Sequence, residues 1–148
     1  ISYSLFNEVR ECFTRIETDS TVRVVIISGA GKLFSSGIDL SILSKVNEEA
    51  MDFARKAYYL RRFLKTLQDT YTAIESCKKP VIVVVHGACI GAGVELTTAC
   101  DIRYCSQDAF FCIKEIDFGL AADLGTLQRL PKIVGNNSLV RELCFTGR

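Results

Sequence analysis

Apolar residues open the chain at helical spacing, with Leu5, Val9, Cys12, Phe13 and Ile16 recurring every three or four positions. The polar pair Asp19 and Ser20 ends that predicted helix. The period then changes: Val22 to Ser28 is a β-branched run between turn residues, and Pro80 to His86 is a second such run, so both are predicted as buried strands. Between them lie a glycine-punctuated loop from Gly29 to Leu40 and a helical pattern from Glu48 to about Ser76. In that helix Phe53, Ala57, Leu60, Leu64, Leu67, Tyr71 and Ile74 form the apolar stripe, and Lys79-Pro80 ends it.

After the second strand, Gly87 to Gly93 reads as a glycine-rich turn and Val94 to Ala99 as a short helix. Ile102 to Cys105 and Ala109 to Ile113 read as short strands, Gly119 to Gly125 as a loop, and Leu127 to Val134 and Leu139 to Phe145 as helices. Strands alternate with helices, which gives an α/β class. No internal repeat or low-complexity linker divides residues 1–148, so one domain is expected.

Composition fits that outline. A chain of 148 residues, 49% hydrophobic and 24% charged, can bury a core of its own. The net charge is +1, with 18 basic residues dispersed among 17 acidic ones, so no nucleic-acid footprint stands out. Arg61, Arg62 and Lys65 read as a solvated helix face. The seven cysteines (Cys12, Cys77, Cys89, Cys100, Cys105, Cys112 and Cys144) form no C-x-x-C pair, mostly sit where small apolar residues would, and suit a reducing compartment. With one histidine, a Cys/His metal site is not expected. No apolar run reaches the length of a membrane-spanning helix. Ile1 follows no Met or signal-peptide pattern and Arg148 stops within a helical pattern, so the chain is expected to be part of a longer protein.

Candidate chemistry starts at the two glycine-rich turns, each following a strand. Ile38, after Ser35, Ser36 and Gly37, and Ala92, at the mouth of a short helix with its dipole behind it, can each offer a backbone N–H. Two convergent amides would make an oxyanion hole; alternatively, the glycines only permit tight turns. Three carboxylates follow. Glu115 and Asp123 have apolar sequence neighbours, which would raise their pKa values and let them exchange protons. Each also has a plainer reading: Glu95 as a complement to the helix dipole, Glu115 as an exposed strand-end charge beside Lys114, and Asp123 as the cap of a helix starting near Thr126. Asp101, before Arg103, reads as structural, in a buried ion pair or a turn, and Asp108 and Asp117 as turn residues.

The segments VVIISGAGKLFSSGIDL and KKPVIVVVHGACIGAGVELTTACDIRYC resemble the two oxyanion segments of the crotonase, or enoyl-CoA hydratase/isomerase, superfamily, and the resemblance spans essentially the whole chain. It implies a crotonase-like ββα spiral, truncated at both ends: without the N-terminal strand segment that helps hold coenzyme A, and without the C-terminal helical region that completes the pocket and builds trimers or hexamers. Within the superfamily, the segment KEIDFGLAADLG is similar to the KE-x-D-x-x-x-A-A-D-x-G pattern of the Δ3,5-Δ2,4-dienoyl-CoA isomerases of unsaturated fatty-acid β-oxidation.

By that resemblance Ile38 and Ala92 would hold the thioester oxygen, Asp123 would take a proton from C2, and Glu115 would return one at C6. Glu95 is the third catalytic candidate, and Ser36, Gly37, Ile38, Asp39, Leu40 and Gly93 are the candidate substrate-binding residues. The resemblance implies a fatty acyl-CoA substrate, no metal or redox cofactor because coenzyme A is part of the substrate, a homotrimer or homohexamer, and a mitochondrial matrix or peroxisomal location. Two positions depart from the isomerase pattern. Glu95 stands where those isomerases usually have Asp, which with Glu115 makes a hydratase-like glutamate pair, and Ala92 replaces a usual Gly. Asp123, where hydratases usually place Gly, favours isomerisation; hydration by Glu95 and Glu115, or acyl-CoA binding without catalysis, are the alternatives.

Overall fold

A computed structural model describes residues 1–44 and 52–148. Helix α1 (Tyr3–Thr18) begins where the Ser2 side chain accepts the Leu5 N–H at 3.3 Å. Strand β1 (Val25–Ser28) leads through the first glycine loop to the short α2 (Ser41–Ser44), and α3 (Phe53–Glu75) starts where Asp52 accepts the Arg55 N–H at 3.0 Å. Such side-chain acceptors satisfy N–H groups that the first helical turn leaves without a partner. Then come β2 (Val81–Val85), β3 (Ala88–Ile90), α4 (Ala92–Ala99), β4 (Ile102–Cys105) and β5 (Phe110–Cys112). A 3-10 turn (Glu115–Phe118), α5 (Thr126–Val134) and α6 (Asn137–Thr146) complete the described chain.

The strands form two parallel sheets, β1-β2-β4 and β3-β5, with Val25 opposite Val81 and Ile82 opposite Ile102. Parallel neighbours need long crossovers, and α3 and α4 lie in those connections. Alternate residues of β2 (Val81, Val83 and Val85) are buried against Phe6, Phe13, Leu67, Tyr71 and Ile74, which makes one core between the sheet and helices α1 and α3.

The sheet is not buried on both faces as the β-branched runs predict. Ile26 is 63% exposed and Tyr104 62%, because the described helices pack on the face of Val81, Val83 and Val85 and leave the other open. The first strand begins at Val25 rather than Val22, and the predicted helical start from Glu48 to Met51 lies outside the described residues; the predicted turn of Gly87 to Gly93 instead holds β3 and the start of α4, because Ala88–Ile90 pairs with β5 and Cys89 bridges to Ser35. Phe53 is 95% exposed and Ala57 exposed, so the inner stripe of α3 runs through different positions near its start. All seven cysteines are free, with Cys89 and Cys100 buried. No helix of the described residues is long and apolar enough to cross a membrane.

Candidate active site

The two glycine turns are joined before they reach the site. Ser35 and Cys89 form an isolated parallel bridge, with the Ser35 N–H donating to Ala88 and the Ile90 N–H to Ser35, each at 3.0 Å. Gly93 makes this approach possible, since a Cβ there would lie 2.7 Å from the Cβ of Ser35. The Ser35 hydroxyl accepts the Gly37 N–H at 3.2 Å and so shapes the turn just before Ile38.

Ile38 and Ala92 consequently line one cavity of about 450 Å³, together with Glu95, Glu115 and Asp123. All five residues singled out for oxyanion binding and proton transfer meet there. Among the described residues, the N–H groups of Ile38 and Ala92 donate to no protein acceptor. Ala92 opens helix α4, where backbone N–H groups and the helix dipole favour an anion. The buried Tyr71 hydroxyl donates to the Ala92 carbonyl at 3.2 Å and fixes that first turn. A second cavity of about 320 Å³ shares Ile38, Ala92 and Glu115 and adds Ser36, Gly37 and Leu40.

The other two substrate-binding candidates take different places. Asp39 turns its carboxylate back to the Ser41 N–H at 2.9 Å, and its own N–H donates to the Ile1 carbonyl. Gly93 is packed under Ser35. Neither lines the two cavities.

The three acids occupy unlike surroundings. Glu95, on α4, is 1% exposed and accepts the Leu124 N–H at 3.0 Å. Burial pushes its pKa from an ordinary 4.5 up to about 8; the charges of Glu115 and Asp123 push the same way, and N–H donation from Leu124 and Thr126 opposes them. Glu95 thus carries a proton at neutral pH.

Glu115 opens the 3-10 turn rather than ending a strand, and its Oε2 is buried without a hydrogen-bond partner. Its Oε1 sits where a Cβ on Gly91 would come to 3.1 Å, and Gly91 holds φ at 50°. A side chain there would therefore be both strained and in the way of the carboxylate. Burial raises the pKa of Glu115, reinforced by the charge of Asp123, against N–H groups that pull it down. Lys114 does not neutralise Glu115, because it pairs with Asp117 at 2.6 Å.

Asp123 lies on the loop ahead of α5. Its pKa is raised by burial, and Gln68 holds its backbone carbonyl at 2.8 Å. It does not cap α5, whose N-cap is Gly125 with no side-chain bond. Asp101 makes no buried ion pair either: it is exposed, accepts the Val81 N–H at 2.8 Å, and touches Arg103 only through its backbone carbonyl. Among the described residues no group of three or more His, Cys, Asp or Glu side chains is placed to hold a metal ion.

The sequence did not reveal which face of α3 lines the cavity. Lys56, Leu60, Phe63, Leu64 and Leu67 of α3 line the larger cavity, at helical spacing that places them on one face. That spacing was visible in the sequence, but nothing local separates a stripe facing a cavity from one facing a core. Gly91 and Tyr71 were missed as site-shaping residues for the same reason.

Residues 1–148 match the family model described as Enoyl-CoA hydratase/isomerase. The chain is 56% identical over 147 residues to the mitochondrial Delta(3,5)-Delta(2,4)-dienoyl-CoA isomerase of Rattus norvegicus, covering 98% of this chain and 45% of that protein. It is 52% identical over 151 residues to the peroxisomal Delta(3,5)-Delta(2,4)-dienoyl-CoA isomerase of Arabidopsis thaliana, covering 100% of this chain and 54% of that protein. The crystal structure of an enoyl-CoA hydratase from Bacillus anthracis superposes with a TM-score of 0.83 at 30% identity, over 100% of this chain and 54% of that one. The chain thus spans about half the length of the relatives it matches.

Proposed function

Because the chain belongs to the enoyl-CoA hydratase/isomerase family, we propose that it is the catalytic core of an isomerase converting 3,5-dienoyl-CoA to 2,4-dienoyl-CoA in unsaturated fatty-acid β-oxidation. The observation that carries this reading is a pair of half-buried acids, Glu115 and Asp123, in one cavity with two uncommitted backbone donors. The thioester oxygen would sit at the N–H groups of Ile38 and Ala92. Asp123 takes a proton from C2, the electron pair spreads through the conjugated chain onto that oxygen, and Glu115 delivers a proton to C6. The double bonds move from 3,5 to 2,4 with no gain of water and no change of oxidation state. Proton exchange with solvent then resets the two acids.

Each part has a physical reason. Donors aimed at an oxygen that gains charge stabilise the transition state more than the ground state, each by about 2.7–4 kcal/mol. Burial shifts Glu115 toward its protonated form, the form a proton donor needs, and leaves one of its oxygens free of partners. No metal or redox cofactor enters this scheme, coenzyme A being part of the substrate. Ser36, Gly37 and Leu40, beside the shared cavity wall, suit the thioester-proximal part of the substrate.

The same proposal assigns the full-length protein to a homotrimer or homohexamer in the mitochondrial matrix or the peroxisome. The open apolar face of the three-stranded sheet supports an environment in which further structure covers this chain.

Hydration is the second reading, supported by Glu95 and Glu115 sharing the cavity, with the charge of Glu115 helping to raise the pKa of Glu95. To test between them, full-length protein is given 3,5-dienoyl-CoA and 2-enoyl-CoA. Isomerisation should dominate, and Asp123→Asn should lower it by about 10²–10⁴-fold. Faster hydration that survives Asp123→Asn would replace isomerase by hydratase, and acyl-CoA affinity without either turnover would leave a binding module.

A further inference from the structure

The larger cavity has a chemical direction. Its acids gather at the Leu67 end of α3, where Gln68 holds the Asp123 carbonyl and Tyr71 the Ala92 carbonyl. From there the α3 wall is aliphatic and aromatic through Leu67, Leu64, Phe63 and Leu60, and it ends at Lys56. Leu67 and Lys56 lie eleven positions apart, roughly 16 Å along the helix axis at 1.5 Å per residue.

Lys56 is the one cation among the described residues lining this cavity. It is half-buried between the exposed Arg55 and Ala57, and it has no ion-pair partner among the described residues. It also stands in the first turn of α3, where the helix dipole disfavours a positive charge and the Asp52 carboxylate is already paired with Arg55 at 3.4 Å. Among the described residues no carboxylate pairs with this ammonium.

We propose that Lys56 is a specificity-determining residue that holds a terminal carboxylate of the acyl chain, so that the site favours CoA thioesters of medium to long dicarboxylic acids over methyl-terminated ones. The inference rests on the reading above that this cavity takes the acyl tail. An anion at the near end would face Glu95, Glu115 and Asp123, whereas at the far end it meets the lone cation. The intervening wall fits methylene groups. A carboxylate held by an ammonium in a partly desolvated site gains a charge-assisted hydrogen bond, which a methyl terminus cannot make.

Calorimetric titration of the full-length protein with a saturated, unreactive pair, dodecanoyl-CoA and the mono-CoA thioester of dodecanedioic acid, tests this. The dicarboxylic ligand should bind about tenfold tighter. Lys56→Met should bring that ratio close to one, and Lys56→Arg should keep most of it. Equal affinities in the unsubstituted protein, or a ratio unchanged by Lys56→Met, overturn the proposal. Turnover of methyl-terminated 3,5-dienoyl-CoA is measured separately: its absence refutes the isomerase reading and leaves the binding ratio as evidence on Lys56.

Discussion

Replacing Glu95 by Gln should change how the stability of this protein depends on pH. Glu95 is 1% exposed, and its pKa moves from an ordinary 4.5 to about 8 in the fold, chiefly by burial. As pH rises past 4.5, the unfolded chain gives up this proton while the folded chain keeps it until about 8. The folded state therefore binds more protons across that window, and stability falls as pH rises. One proton amounts to about 1.4 kcal/mol per pH unit, so Glu95 alone removes about 2–3 kcal/mol between pH 5 and 7. Below 4.5 both states are protonated and the effect vanishes; above 8 both are ionised and the loss stays constant. Gln keeps a side-chain oxygen for the Leu124 N–H, now accepted at 3.0 Å, and cannot ionise. Urea unfolding at pH 5, 6 and 7 should show Glu95→Gln gaining on the unsubstituted protein by about 2–3 kcal/mol over the series. Glu115 and Asp123 titrate in both proteins, so the difference reports Glu95 together with its coupling to their charges. Parallel stability curves for the two proteins would mean that Glu95 is already ionised in the folded state at neutral pH, and the argument from burial would fail.

Two further substitutions test the frame that holds the donors. Gly93→Ala would place a Cβ 2.7 Å from that of Ser35; we expect a loss of about 1–3 kcal/mol by denaturant unfolding and slower turnover as the Ile38 turn moves, and an unchanged midpoint would refute the close approach. Tyr71→Phe deletes the buried hydroxyl that donates to Ala92 at 3.2 Å; a cost of about 1 kcal/mol is expected, and a negligible change would show that this bond does not hold the first turn of α4.

The parts of this fold set by local pattern were legible in the sequence. Helices α1 and α3 form where the apolar period predicts them, though Leu5, Cys12, Phe53 and Ala57 of the predicted stripes are exposed; β2 follows its β-branched run and the first glycine loop falls where it was expected, whereas Gly87 to Gly93 holds strand β3 and the start of α4. Ile38, Ala92, Glu95, Glu115 and Asp123 stood out as candidates in the glycine turns and among apolar neighbours, and the fold brings all five to one cavity, but their roles came from the family resemblance and not from the local pattern. Features set by distant packing were not legible. Whether a β-branched strand is covered on both faces depends on which elements cross it, so the open side bearing Ile26 and Tyr104 could not be read from alternation. The packing role of Gly93 was not legible either, since it depends on the approach of Ser35, far away in sequence. Lys56 went unnoticed because a lysine on a helix is ordinarily solvated.

The position of Glu95 bears on the choice between isomerisation and hydration. A carboxyl group that is protonated at neutral pH and bonded to the Leu124 N–H is poorly suited to remove a proton from water, and it tethers the residue directly after Asp123. Lengthening the usual Asp to Glu here therefore need not change the reaction: the added methylene reaches the Asp123 loop. Glu115 differs in having a buried oxygen that bonds to no protein group, and Asp123 in facing the cavity from a loop fixed on one side by Gln68 and on the other by Glu95. Burial and the Leu124 N–H thus set Glu95 apart from Glu115 and Asp123, the pair on which the proposed shift of double bonds rests.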